Sequence, residues 1–192
     1  MQVSLESVAQ IRFGLYVQQT VDTGIAYLQA RQFDSNGNLV TQQDTFLPHD
    51  NKVTAHLLKD GDILLVGKGS KNFAWCYKEE FGPAVASSIF FVISPDKKKI
   101  QPEYITALLN HNSSQEYFQK QGLGTNIMSI RRSELEDFKI ALLPMAQQAS
   151  VAALHELHKK EVIITQLLLQ RKNEFYEAVV NNLINGNLIN NN

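Results

Sequence analysis

A single cysteine, Cys76, leaves this chain of 192 residues with no partner for an internal disulfide. That excludes a small fold held by disulfides and suits a reducing compartment. Cys76 sits inside the apolar stretch Phe73 to Tyr77, which marks it as a small buried hydrophobe on a strand. No apolar run approaches the roughly 18 residues that a membrane-spanning helix needs. The opening segment, Met1 to Gln10, carries Glu6 and has neither a basic start nor an apolar centre, so no secretory signal is expected there. The expectation is a cytoplasmic protein with no membrane partner.

An excess of positive charge is also missing. Lys and Arg number 18 against 19 Asp and Glu, for a net charge of −1. Between Lys59 and Lys139 the balance is eleven against ten. Neutralising phosphates normally supplies much of the affinity for nucleic acid, so any such surface here has to come from sorting charges in space. Composition is otherwise ordinary, with 44% hydrophobic and 19% charged residues. The length suits one domain with a sizeable core and an appended helix.

Catalytic signatures are lacking as well. Gly67-Lys68-Gly69-Ser70 lacks the spacing of a phosphate-binding loop, and Gly122-Leu123-Gly124 opens no dinucleotide-binding unit. His49, His56, His111, His155 and His158 show no metal-ligand spacing, and His155 and His158 read as a solvated pair on one helical face. No serine or cysteine occupies a nucleophile elbow. The Asn/Asp-Pro-Pro-Tyr/Phe tetrapeptide and the glycine-rich methyl-donor loop of amino-methyltransferases are both missing. Asp60 with Asp62, and Glu79 with Glu80, are the carboxylates a nuclease reading would need, but no lysine in a recognisable strand pattern accompanies them. No catalytic residue, metal or cofactor is expected.

What is present divides at Pro144. Residues 1–144 read as a mixed α/β (α+β) globule. Strands are expected at Ile25 to Leu28, within Gly61 to Gly67, at Phe73 to Lys78, at Ser88 to Ser94 and at Phe138 to Leu143. The all-apolar run Ile63 to Val66 predicts burial on both faces of its sheet. Pro102 opens a helix bearing Ile105, Leu108 and Leu109. Ser113-Ser114-Gln115-Glu116 has capping-box spacing for a second helix that Gly122 would end, and Ser129 to Asp137 allows a further helical turn.

Residues 145–185 hold neither proline nor glycine and read as one helix, followed by an Asn-rich tail at 186–192 that is expected to fray. Leu157, Ile164, Leu168, Phe175 and Val179 recur at intervals of 7, 4, 7 and 4, and Leu154 widens this stripe. Such a helix is about 60 Å long at 1.5 Å per residue, more than a small domain can cover. A coiled-coil-like partner helix is therefore expected on Leu154, Leu157, Ile164, Leu168, Phe175 and Val179, with an imperfect seam because Arg171 and Glu161 fall on or near it. The competing reading is a helix folded back over its own domain.

Two polar loops carry the chemistry suited to nucleic acid. Lys68, Ser70, Lys71 and Asn72 combine cations, a hydroxyl and an amide with close-fitting glycines, and Thr125 and Asn126 repeat that chemistry ahead of Arg131 and Arg132. Lysine can bond guanine or phosphate and asparagine can pair twice with adenine. The plainer alternative is a pair of solvent-facing loops. Lys97-Lys98-Lys99 reads as a solvated turn.

The order of segments resembles the DNA-specificity subunits of type I restriction–modification systems. The matching pieces are Leu5-Glu6-Ser7-Val8-Ala9-Gln10-Ile11 leading to Gly14, then Leu58-Lys59-Asp60-Gly61-Asp62-Ile63-Leu64, then Ala86 to Ile93. Pro102-Glu103-Tyr104-Ile105, Gly124-Thr125-Asn126-Ile127, and Leu142-Leu143-Pro144 with Gln147-Gln148 follow in the family's order. The resemblance implies a target-recognition domain that docks on double-stranded DNA and a helix that sets spacing and holds partners. It implies no catalysis by this chain, whose partners would be an adenine-methylating modification subunit and, optionally, a restriction subunit. Full-length members carry two such units around a pair of antiparallel helices, whereas this chain matches one. A homodimer, or pairing with a different half, would restore the second. The alternatives are a dimeric scaffold that reads no DNA and, last, a nuclease.

Overall fold

The computed structural model describes residues 1–34, 37–40, 44–69, 72–121 and 128–184. In chain order the elements are β1 (Gln2–Ser4), β2 (Ala9–Phe13), β3 (Ile25–Leu28), β4 (Phe46–Leu47), α1 (Asn51–Thr54), β5 (Ile63–Val66), β6 (Lys68–Gly69) and β7 (Ala74–Cys76). There follow β8 (Ala84–Ala86), β9 (Phe90–Pro95), α2 (Pro102–Asn110), α3 (Asn112–Gln121), β10 (Met128–Ser129), α4 (Arg132–Glu136), β11 (Lys139–Ala141) and α5 (Met145–Ile184). Two compact units are distinguished, residues 1–152 and 153–192, so the first two turns of α5 belong to the globular unit.

The centre of the globular unit is an antiparallel sheet in the order β2-β9-β5-β7. Its middle strands explain the all-apolar runs. Ile63 and Leu65 of β5, with Phe91 and Ile93 of β9, face a core shared with Tyr104, Ile105, Leu109, Phe118 and Leu135 from the helices. The alternate residues Leu64, Val66, Phe90 and Val92 face a second core built on Phe33, Phe73 and Trp75. Period-two alternation sends successive side chains to opposite faces, so a strand covered on both sides must be apolar throughout. A smaller sheet, β4-β3-β8, pairs β3 in parallel with β8 and antiparallel with β4, and lies over a third cluster around Leu15, Leu47 and Val85.

The Leu58-to-Leu64 segment has a structural reason for its glycine and its acid. Gly61 adopts φ +84°, and a Cβ there would press on Lys97 and Pro102. The buried Asp62 carboxylate accepts hydrogen bonds from Ser94 Oγ at 2.7 Å, Lys59 N at 3.0 Å and Arg12 at 3.5 Å, joining the entry of β5 to β2 and β9. Cys76 lies half-buried at the end of β7, and loss of hydration pushes its thiol up to about 12.

Three expectations need correction. Ser88 to Ser94 is not one strand: Ser88 and Ile89 form a turn, so the chain leaves the small sheet at β8 and enters the large one at β9. The second helix begins at Asn112 rather than at a Ser113 cap. The His111 carbonyl accepts from Ser114 N and Gln115 N, and its ring Nδ1 takes the Ser113 N–H. Part of the expected loop 67–72 is strand, since Lys68 and Gly69 form β6. The closing strand, β11, pairs antiparallel with β1. Gln148, fully buried, then fastens the start of α5. Its Oε1 accepts from Gln101 N at 2.8 Å, and its Nε2 donates to the carbonyls of Leu143 at 2.8 Å and Lys99 at 3.3 Å.

Candidate nucleic-acid interface

Two short strands at the edges of the polar segments singled out in the sequence form a ribbon. β6 pairs antiparallel with β10, with Gly69 opposite Met128 and Lys68 opposite Ser129. The ribbon is anchored at its base, where Ile130 N donates to Gly67 O at 2.8 Å and Gly67 N donates to Ile89 O at 2.8 Å. Glycine is required at position 67 because a Cβ would stand 2.6 Å from the Phe91 ring. Lys68 and Ser129 are exposed on this ribbon. Ser70, Lys71, Thr125 and Asn126 lie outside the described residues, but the chain reaches them from the register partners Gly69 and Met128.

Arg131 and Arg132 follow β10 at the start of α4, both exposed. The Glu134 carboxylate accepts from the Arg131 backbone N–H at 2.8 Å and lies 3.8 Å from its guanidinium, while Arg132 pairs with Glu136 at 2.7 Å. Exposed pairs of this kind are weakly held in water, so a phosphate can compete for either arginine. Asn72 is half-buried and immediately precedes the fully buried Phe73, which places its amide closer to the core than a loop tip would. Lys97 is engaged by Asp60 at 3.0 Å, a hydrogen bond that holds the Asp60 carboxyl below its ordinary value, and Lys99 lies 3.5 Å from Asp96.

Two of the four carboxylates on which a nuclease would depend, Asp60 and Asp62, have other partners. Asp62 is bound to Ser94, Lys59 N and Arg12, and Asp60 accepts from Lys97 and from Glu79 N at 3.4 Å. A cleft of about 410 Å³ beside Tyr16, Gln18, Pro48 and Lys52 also contains Asp50, whose carboxylate caps α1 by accepting from Val53 N at 2.7 Å. No cluster of three or more His, Cys, Asp or Glu able to hold a metal occurs among the described residues.

In the second unit, Leu157, Ile164, Leu168, Phe175 and Val179 are all exposed, as is Leu154. The continuous helix therefore presents the apolar stripe read from the sequence without cover. No described helix is long and apolar enough to cross a membrane.

Two side chains to which the sequence gave no individual role carry weight here. Gln148 bonds on all sides inside the fold, and only its place beside Gln147 in the family resemblance pointed to it. Phe13, at the end of β2, remains half in water.

No family model and no curated protein matches the sequence. Solved structures do. The S subunit of a type I restriction–modification system from M. genitalium superposes with a TM-score of 0.60 at 14% identity, over 95% of this chain and 45% of that one. The HsdS subunit from Thermoanaerobacter tengcongensis gives 0.62 at 14% identity, over 85% and 38%. A chain from a structure of type I R-M complex assembly and conformational transition gives 0.65 at 15% identity, over 95% and 43%. This chain spans less than half the length of each of these three. It has the fold of one half of a type I restriction–modification S subunit.

Proposed function

We propose that this chain is a DNA-specificity half-subunit of a type I restriction–modification complex. The observation that carries the reading is the pairing of β6 with β10. In a chain with the fold of half an S subunit, that ribbon pairs the strand bearing Lys68 with the strand that leads into Arg131 and Arg132. The loops around Lys68 to Asn72 and Thr125 to Asn126 read base edges, and Lys68 at the start of the first, with Arg131 and Arg132, holds phosphates. The chain performs no chemistry itself. It positions an adenine methyltransferase subunit, with a restriction subunit as an optional further partner. The methyl donor, and any flipping of the target base, belong to that partner. A second half, either another copy or a different chain, lies along α5.

Binding to a short mixed-sequence duplex at several salt concentrations tests the DNA surface. Each phosphate contact contributes a slope of about −0.9 in log K against log salt. Lys68→Ala and Arg131→Ala are each expected to flatten that slope by about 0.9. Unchanged slopes in both variants would remove the ribbon from the interface. If the wild-type chain bound no DNA at all, the second reading would gain: a dimeric scaffold for the modification subunit, which the net charge of −1 favours.

A further inference from the structure

Phe13 is 50% exposed, although Ala9 and Ile11 on the same face of β2 are buried. Its ring is nonetheless fixed. Phe13 and Phe91 are register partners across β2 and β9, and their rings pack 4.8 Å apart between centroids at a tilt of 36°. Phe91 is 2% exposed and its ring fills the space where a side chain on Gly67 would stand. The backbone after Phe13 is held too, since Gly14 N donates to Phe90 O at 2.9 Å. Gly67 leads directly into Lys68 and accepts the hydrogen bond of Ile130, the residue before Arg131. A rigid apolar ring, open to water, therefore borders the base of the cationic ribbon through one shared neighbour.

We infer that Phe13 is a DNA contact, pressing its exposed ring against the bases of a duplex whose phosphates engage Lys68 and Arg131. The inference rests on the DNA-recognition reading above and adds a residue and a kind of contact to it. Charge complementarity selects the occupant: Lys68, next to the Gly67 that lies against the Phe91 ring, supplies charge for phosphates, and the Phe13 ring packed on Phe91 supplies an apolar face for bases. Apolar side chains meet thymine methyl groups in the major groove or wedge against a base step. Such a contact releases no counterions, so it strengthens binding without steepening the salt dependence. The ring is already ordered by Phe91, so little side-chain freedom is lost on binding.

The test compares full-length wild type, Phe13→Ala, Phe13→Leu and Phe13→Trp on the same mixed-sequence duplex. Phe13→Ala is expected to bind about 10-fold more weakly, within the range that aromatic contacts with bases supply. Its salt slope should match wild type, in contrast to Lys68→Ala, and Phe13→Leu should fall between. Phe13→Trp should show its emission quenched by the duplex, a readout that stays available if the alanine variant folds poorly. Native Trp75 is buried and forms a constant background. Wild-type affinity in the alanine and leucine variants, with unquenched tryptophan emission, overturns the inference. Wild-type protein that binds no duplex overturns the DNA reading itself, and this contact falls with it.

Discussion

On the proposed pairing of two copies along α5 the wild type sediments as a dimer, and replacing Leu157, Ile164 and Leu168 together by glutamate is expected to leave a monomer. The three side chains are 63%, 65% and 54% exposed, yet they follow helical spacing on one face. A 40-residue helix with this stripe in water has every reason to find a second helix. Burying each of these side chains contributes about 1.5–3 kcal/mol, so their loss weakens association by about 5 kcal/mol or more. At about 1.4 kcal/mol per tenfold, that is a change of more than a thousandfold in the dissociation constant. A two-fold pair would place the same stripe of each copy against the other. Sedimentation velocity over a range of concentrations measures this. Thermal melting of the globular unit should hardly change, because none of its core clusters includes a residue beyond Val151. A triple variant that still sediments as the wild type does would place the partner elsewhere.

The second large effect is on folding. Gly14→Ala is expected to lower stability by about 3 kcal/mol, the upper end of overpacking costs. A Cβ on Gly14 would stand 2.1 Å from Ser87 O and 2.6 Å from Ala86 O. Both are backbone atoms held by pairing. Leu15 N donates to Ala86 O at 2.8 Å, and Leu15 bridges Ser87 in parallel register. Neither carbonyl can turn aside without breaking the junction at which β2 leaves the large sheet for the small one. Urea unfolding should show a lower midpoint with the slope preserved. A midpoint equal to wild type would mean that the junction yields more easily than its hydrogen bonds imply.

Gly14 also shows what was legible in the sequence and why. Its place at the end of the Leu5-to-Gly14 segment entered through family resemblance, but the reason for it lies in a backbone crossing that no local pattern announces. Elements with a local cause were readable. The apolar run of β5, the proline opening α2 and the uninterrupted α5 each follow from periodicity or backbone restriction within a few residues. Elements with a distant cause were not. β6 is two residues long, half of them glycine, and exists because Met128 and Ser129 come alongside from far down the chain. The turn at Ser88 and Ile89 was hidden inside a run apolar enough to read as one strand.

The candidate surface divides in the same way. Chemistry chose Lys68, Asn72, Arg131 and Arg132 as polar groups suited to nucleic acid, but the sequence could not say that Lys68 and Gly69 pair with Met128 and Ser129. Phe13 lay inside the family segment from Leu5 to Gly14 with no role of its own, and its exposure separates it from Phe91. The near-balanced charge left the DNA surface to spatial sorting. In the fold, Lys68 lies opposite Ser129 on the ribbon and Arg131 follows two residues later, both exposed.

The central claim is that half an S subunit, paired along α5, directs an adenine methyltransferase to a DNA sequence. The most direct measurement is co-expression of the full chain with a type I modification subunit in a host lacking other adenine methylation, followed by mapping of methylated adenines across the genome. Two identical halves should methylate an interrupted palindrome, since the symmetry of the site mirrors that of the protein. The triple stripe variant should abolish that methylation. An asymmetric split motif would contradict the homodimer and point to a second, different half. Methylation that is absent, or that persists unchanged without this chain, would contradict the claim itself.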